Sequence, residues 1–427
     1  MKFLFLNQTF YPDVVATGQY LSDVALAVVE RGHSVTVITS RLAYDEPLKI
    51  YPRRQTWQGI EIIRVWSTGF GKEARWRRAI DFASFIASCA VRAAFLRRHD
   101  VVIALTSPPL ISLVGALVAL IRQARFIYWV MDLNPDEAIA AGWLREHSIA
   151  GNILEAFSRF SLRRATKVMV LDRFMRERII AKGIAPDKVL VSRLWSQGVR
   201  FDRAGRDQFR QRHGLEGKFV VMYSGNHSPC HPLDTVLEAA KQLASDPEIV
   251  FCFVGGGSEF RRIRAQCAGI EGNSGNSLRN VLCLPYQPRS ELAASLSAAD
   301  LHLLVMGDPF VGLVHPCKIY NLLSIGMPIL YIGPSPSHVT EIVKSVASRV
   351  SGGNEPGWAK HGDVTGIVSE IIRLRKIRGK VECTESVDLS GDFSAGVLVP
   401  QLVSAMGADS NSSSTVRTLP HEEWSFK

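Results

Sequence analysis

The chain has no Cys-x-x-Cys pair. Its seven cysteines, an odd number, stand singly at 89, 230, 252, 267, 283, 317 and 383 and form no cluster with histidine. That pattern excludes a disulfide framework and the usual zinc motifs, and it points to a reducing, cytoplasmic setting. No solenoid-length repeat recurs. The opening MKFLFL gives way at once to NQTFYP, so it lacks the apolar core of about 7 to 15 residues that a secretory signal needs. Long apolar runs are scarce too. The one stretch of spanning length, Val101 to Ile121, is split by Ser107-Pro108-Pro109 into a strand, VVIALT, and a helix, LISLVGALVALIRQA. A buried strand and helix are expected there, with a bilayer span as the alternative.

What is present is core material and a lopsided charge. With 427 residues, 47% hydrophobic and 21% charged, the chain can bury two ordinary cores. The net charge of +10 lies in the first half: residues 1–202 carry 28 Lys and Arg against 18 Asp and Glu, and the rest carries 22 of each. A basic half suits anionic lipid, a diphosphate-bearing acceptor, nucleic acid or plain solubility, and charge alone does not choose. The arginines are spread over several elements without a nucleic-acid-reading motif, so no nucleic acid is expected as partner.

Strand and helix signals alternate twice. KFLFL, a helix from about Gly18 to Arg31, and SVTVITS open a βαβ unit; IEIIRV, VVIALT, RFIYWVMD, KVMVLD and KVLVSRL continue it. After a polar stretch, SQGVRFDRAGRDQFRQRHGLEGK, a second series runs KFVVMYSG, EIVFCFVGGG, NVLCLPY, DLHLLVM and PILYIGP. The expected fold class is α/β, with two Rossmann-like doubly wound domains facing across a cleft. The boundaries read as an acceptor-side domain over 1–200 and a nucleotide-side domain over 201–380. A segment over 381–406 is a candidate to return to the first domain, and 407–427 reads as a disordered tail.

Ligands of such domains sit at the carboxyl ends of strands. The first candidate loop is NQTFYPDVVATG, with Tyr11, Asp13 and the helix-opening Gly18. A plain strand-to-helix turn explains Gly18 as well as an anion site does. In YWVMDLNPDE, Asp132 ends a strand and is placed to orient an acceptor hydroxyl or take its proton. Asn134, Asp136 and Glu137 fit helix capping equally well. GNHSPCHPLDT offers Gly225, Asn226, His227 and His231; Pro229 and Pro232 break any helix that would align the two histidines on a metal, so no metal is expected. FVGGGSEFRR is a Gly-rich turn without the GxGxxG spacing and is weak evidence alone. GLVHPCKIYNLLSIGMP sets His315 and Lys318 at a helix start. A lysine there is unfavourable unless an anion joins it, which makes Lys318 the best phosphate contact.

In order and spacing, FYPDVVATGQYLSDVALAVVERGHSVTVIT, DVVIALTSPPL, WVMDLNPDEAIAAGWL, YSGNHSPCHPLDTVLEAA, FVGGGSE, NVLCLPYQPRSELAASLSAADLHLL and HPCKIYNLLSIGMPIL resemble glycosyltransferase family 4 over about residues 1–345. The likeness is to its bacterial capsular and exopolysaccharide branch, related to colanic acid transferases. It implies a GT-B fold, no metal or cofactor, and retaining transfer of a hexose from a nucleoside diphosphate, with UDP the expected nucleotide. The implied acceptor is a glycan or polyprenyl-diphosphate-linked saccharide of cell-surface polysaccharide synthesis, at the inner face of the membrane.

Carried over, the donor would touch Gly18, Gly225, Asn226, His227, Gly256, Leu284, Tyr286, His315, Cys317, Lys318 and Asn321, and the acceptor Tyr11, Asp13, Ser107, Asp132 and Asp136. Asp132, Lys318 and His231 would carry catalysis. Two departures matter. Asn226 and His231 stand where many members have an Arg and a Lys, and the usual pair of glutamates seven residues apart is missing, with Asn321 near the second position. Those losses keep a silent nucleotide-sugar sensor or scaffold, and a GT-B epimerase, as alternatives. Finally, EARWRRAIDFASFIASCAVRAAFLRR is either a core helix, the preferred reading, or a peripheral contact with anionic membrane.

Overall fold

The computed structural model describes residues 1–44, 46, 48–71, 74–268, 278–347, 356–378 and 391–408. The tail expected from 407 lies outside them from residue 409, and so does residues 381–390 of the expected returning segment.

Two sheets carry the chain. The first contains β1 (Lys2–Leu6), β2 (Ser34–Ser40), β3 (Arg54–Trp57), β4 (Ile60–Val65), β5 (Val101–Ala104), β6 (Arg125–Trp129), β7 (Lys167–Val170) and β8 (Val189–Val191), in the order β3-β4-β2-β1-β5-β6-β7-β8. The second contains β9 (Phe219–Asn226), β10 (Ile249–Gly256), β11 (Val281–Leu284), β12 (Leu301–Val305), β13 (Ile329–Ile332) and β14 (Gly357–Ala359), in the order β11-β10-β9-β12-β13-β14. The pairing of β3 with β4 is antiparallel and that of β2 with β4 is parallel. The α/β class is as the alternation predicted. The strand β3 is not, because RQTW is polar enough to read as loop; its signal is the turn Gln58-Gly59, both with positive φ, as a two-residue hairpin requires.

The run from Val101 breaks as expected into β5 and a helix, Ile111–Arg122. Among the described residues no helix is long and apolar enough to cross a membrane.

By contacts the chain divides into two units. One holds Met1–Trp129, Phe160–Lys167 and the residues from Val399; the other holds Val130–Arg159 and Val168–Leu398. This differs from a cut at 200. The cohesion of the second unit explains why: Leu133 N donates to Leu313 O, and Arg178 Nε to Val311 O at 2.6 Å, so residues after β6 are tied to the loop before the helix Lys318–Ile325.

In the second unit the alternate side chains of β9 bury on both faces, as a parallel sheet demands. Val221 and Tyr223 meet Phe251, Phe253, Leu303 and Val305, while Val220 and Met222 meet Cys252 and Val254. The polar stretch after 196 is no mere interruption. It forms the helix Arg203–Arg212, whose Phe209 joins the second of those faces. Arg206 and Arg210 turn inward onto the fully buried Asp300, at 2.6 and 3.0 Å, and Asp300 also accepts from Val220 N at 2.8 Å. Arginines at positions 206 and 210, one helical turn apart, share one carboxylate on this face.

Candidate functional site

The carboxyl ends of β9 and β10 meet main chain to main chain. A Cβ on Gly255 (φ +139) would run into the carbonyl of Gly225, so only glycine serves there. A Cβ on Gly256 would lie 2.8 Å from the Tyr286 ring, and its absence lets that half-exposed ring cover the strand end. Leu284, expected with Gly256 and Tyr286 against the donor, is buried at the end of β11.

Lys318 rises beside this floor from the start of the helix Lys318–Ile325. The Nζ sits 3.7 Å from the centre of the Tyr223 ring, would lie 3.3 Å from a Cβ on Gly225, and has no hydrogen-bond partner among the described residues although it is shut off from solvent. Burial pulls its ammonium down to about 7. Cys317 stands at the helix N-cap without capping the helix by its side chain; its Sγ turns to His315 O at 3.2 Å. The site therefore offers an unsatisfied cation at an uncapped helix start, which is what an anion needs.

The histidines act differently from expectation. His231 Nδ1 lies 2.7 Å from Val305 O and must donate to it, so Nε2 is an acceptor. Burial, then Lys318, hold the ring down to about 3. It suits a hydroxyl of a ligand and not an unprotonated phosphate oxygen. His227 is enclosed by Tyr223, Phe260 and Phe253, with ring centres 4.8, 4.9 and 6.3 Å away. Burial and Lys318 hold it at about 4, and its backbone, N to Gly256 O at 2.7 Å, is what fixes the loop. His315, expected against the donor, is turned inward: Nδ1 meets Asp172 Oδ2 at 3.0 Å and Nε2 meets Tyr320 OH at 2.9 Å. Asp172, His315 and His338 bring three ligand-type atoms within 4.8 Å. His315, with both ring nitrogens engaged, has no lone pair left for an ion.

Asp132, at the end of the segment after β6, is pushed up to about 8 by burial and then by Glu137, so it is a neutral acid at pH 7. Asp136 does not join it. It binds the buried Lys182 at 2.8 Å, together with Glu155 at 2.7 Å. Glu137 takes the inward position instead, accepting from Asn134 Nδ2 at 3.0 Å and facing Cys230 Sγ at 3.9 Å. Asn321 Oδ1 accepts from Gln197 N at 3.1 Å, which leaves its amide hydrogens for a ligand, and Asn226 lies exposed at the end of β9.

The remaining candidates belong to the first unit. Tyr11 stacks on Trp57 at 4.1 Å, Asp13 accepts from Tyr51 OH at 3.1 Å, Ser107 O accepts from Gln8 N at 2.6 Å, and Gly18 packs the helix start against the backbone of Thr9. Beside them is a cavity of about 210 Å³ at the carboxyl ends of β1, β2 and β4, lined by Gln8, Ser40, Tyr44, Ser67, Arg78 and Asp81 among others. Gln8 lies in the first candidate loop and Ser40 ends β2, while Arg78 lies in the helix Arg75–Ala94, whose sequence pointed to a core or a membrane contact; none of the three was singled out as a site residue. A wider opening of about 360 Å³ between Arg206, Lys218 and Arg375 lies by the first residues of β9, away from the strand ends that hold ligands.

Two mostly parallel sheets of eight and six strands, the second with a glycine floor and an anion-ready lysine at its strand ends, have the fold of GT-B glycosyltransferases. Residues 16–195 match the glycosyl transferase 4-like domain, and the chain is similar in sequence to glycosyltransferases of that kind. It is similar to WcaI of Escherichia coli K12, named as a colanic acid biosynthesis glycosyl transferase, with 28% identity over 76% of this chain and 82% of that protein. It is similar to WbjE of Pseudomonas aeruginosa, a glycosyltransferase by name, with 24% identity over 58% of this chain and 60% of that one. In fold it is similar to Anabaena HepE crystallised with UDP-glucose (TM-score 0.65, 16% identity, 96% of this chain and 100% of that). It also resembles sucrose-phosphate synthase of Thermosynechococcus elongatus (TM-score 0.68, 13% identity, 95% and 97%).

Proposed function

We propose that the enzyme transfers a hexose from UDP-sugar to a glycan or polyprenyl-diphosphate-linked saccharide in cell-surface polysaccharide synthesis. The observation that carries this reading is the buried, unpartnered ammonium of Lys318 beside the glycine floor. The diphosphate lies between Lys318 and the first N–H groups of its helix, and the uracil lies against Tyr286 and Leu284. His231 Nε2 accepts from a sugar hydroxyl. HepE crystallised with UDP and with UDP-glucose, and the colanic acid biosynthesis in the name of WcaI, support the choice of nucleotide and pathway class. The acceptor is assigned to the cavity by Arg78 and Ser40 in the first unit.

Retention means that the new C1–O bond forms on the face from which the diphosphate departs. The acceptor's proton is then delivered to the leaving phosphate oxygen, and the protein's main task is to stabilise charge developing on that oxygen. Lys318 meets that demand without a metal.

The same assignment gives a pH dependence. An ammonium at about 7 in the free protein must be charged to bind a diphosphate, so binding takes up a proton above that pH. Donor affinity is expected to fall about tenfold per pH unit between pH 7.5 and 9, the linkage limit for one proton. Titration calorimetry of UDP in buffers of different ionisation enthalpy measures the proton directly; a pH-independent affinity would remove Lys318 from the diphosphate. Tyr286→Ala is expected to raise the donor KM about tenfold with kcat little changed, the size of one base–aromatic stack. An unchanged KM places the base elsewhere.

A further inference from the structure

We infer that the helix Arg75–Ala94, with its neighbour Ile111–Arg122, is a docking face for an anionic phospholipid surface. The inference does not depend on the donor or acceptor assigned above. The sequence favours burial of this helix, yet only Phe85, Cys89 and Ala93 are buried. The outward stripe is Trp76, Ala79, Ile80, Ala83, Ala87, Val91, Ala94 and Phe95, all exposed and none charged, with Trp76 and Val91 about 60% and Phe95 80% exposed. The neighbouring helix, whose Arg122 Nη2 donates to Ala94 O at 2.6 Å, continues the face with exposed Leu117, Leu120 and Ile121. A helix that opposes a buried seam with a second apolar stripe has an occupant other than water.

Charge selects the occupant. From Arg75 to Arg125 the chain has eight arginines and two acids, Asp81 and Asp100. Asp81 is withdrawn from the face: it accepts from Thr68 Oγ1 at 2.6 Å and from Phe70 N and Gly71 N at 3.0 Å. Arg75, Arg97 and Arg98 are exposed at the two ends of the stripe. A second copy seated face to face would bring like charges together with no carboxylate between them. A bilayer bearing anionic headgroups accepts the apolar stripe and pairs the arginines at its rim, with the indole of Trp76 at headgroup depth. The opposite side of the same helix contributes Arg78, Asp81 and Phe82 to the 210 Å³ cavity, so docking would hold that cavity close to the lipid surface.

The test is flotation of the full-length protein with vesicles of phosphatidylcholine alone or with 30% phosphatidylglycerol (about that fraction gives a strongly anionic surface). The expected result is flotation with the anionic vesicles only, weakening as salt rises. Arg97→Glu/Arg98→Glu is expected to lower the partition coefficient at least about twentyfold, and Phe95→Ser/Ile121→Ser at least about tenfold. Both variants should keep the parent's unfolding temperature and its rate of donor hydrolysis, which separates lost docking from lost folding. Protein that stays at the bottom, flotation indifferent to lipid charge, or flotation unchanged in both variants overturns the inference. So does a dimer in light scattering that the Phe95→Ser/Ile121→Ser variant converts to monomer, since the face would then belong to a second copy.

Discussion

Replacing Lys318 by methionine is expected to lower turnover at least about tenfold, roughly 1.4 kcal/mol of transition-state stabilisation, and to make the protein harder to unfold at pH 7. The two effects have one cause. The ammonium is enclosed against Tyr223 with no hydrogen-bond partner among the described residues, and burial brings it from the ordinary lysine value down to about 7. Holding a charge there costs stability when the donor is absent and becomes favourable when a diphosphate arrives. Methionine keeps the volume and van der Waals packing on the aromatic ring but loses the charge, and with it the cation–π contact with the ring. Because the folded value lies below the unfolded one, the cost of the charge is fully present below about pH 7 and fades as pH rises toward the unfolded value. The gain in stability should therefore be on the order of 2 kcal/mol at pH 6, after discounting the lost contact with the ring, and near zero at pH 10. Thermal unfolding at the two pH values, with initial rates of UDP release from UDP-glucose, reads both halves. A variant that is less stable at pH 6 would mean that Lys318 has a structural partner; one with full activity would end its catalytic role.

Asp300→Ala carries the largest expected loss of stability. The carboxylate is fully buried and serves Arg206, Arg210 and Val220 N together. Removing it leaves two largely buried guanidinium groups without their counter-charge, although both retain carbonyl partners: Arg206 binds Ala299 O and Arg210 binds Ala298 O and Leu215 O, at 2.8 to 2.9 Å. The cost should be about 3 to 5 kcal/mol, the usual range when one partner of a buried ion pair is deleted. Urea unfolding followed by circular dichroism measures it. Replacing all three side chains by apolar ones of similar volume should recover most of the loss, since the penalty comes from the stranded charge. A loss below about 1 kcal/mol in the single variant would show that the cluster is solvated in practice.

The network around Asp300 also shows what can be read from a one-dimensional string. Strand and helix alternation depends on local periodicity, so both sheets, the helix after Gly18 and the break at Pro108 were legible. Lys318 was legible as well, because a cation at a helix start conflicts with the local field whatever surrounds it. The histidines were not. His231 is committed by Val305 O and His315 by Asp172, partners 74 and 143 residues away, and His227 sits in an aromatic box that Phe253 and Phe260 help to close. The same holds for the acids after β6. Asp136 and Glu137 are neighbours with equal capping credentials, and which one faces inward is decided by the distant Lys182. The arginines of the helix Arg203–Arg212 read as solvated for the same reason: their buried acceptor is about ninety residues away.

The floor of the proposed donor site is made of main chain. Gly225, Gly255 and Gly256 contribute no side chains, and Gly255 tolerates none because the next strand's carbonyl fills the space. A surface of that kind cannot be reshaped by single substitutions, so it is invisible to the ordinary route by which specificity drifts. Under the proposed donor assignment, substitutions that alter sugar choice are expected at the rim, at positions such as Tyr286 and His231, and not in the glycine platform. Changing which sugar is used is then a matter of exchanging a few border residues, and losing the ability to hold any donor takes only one added methyl group.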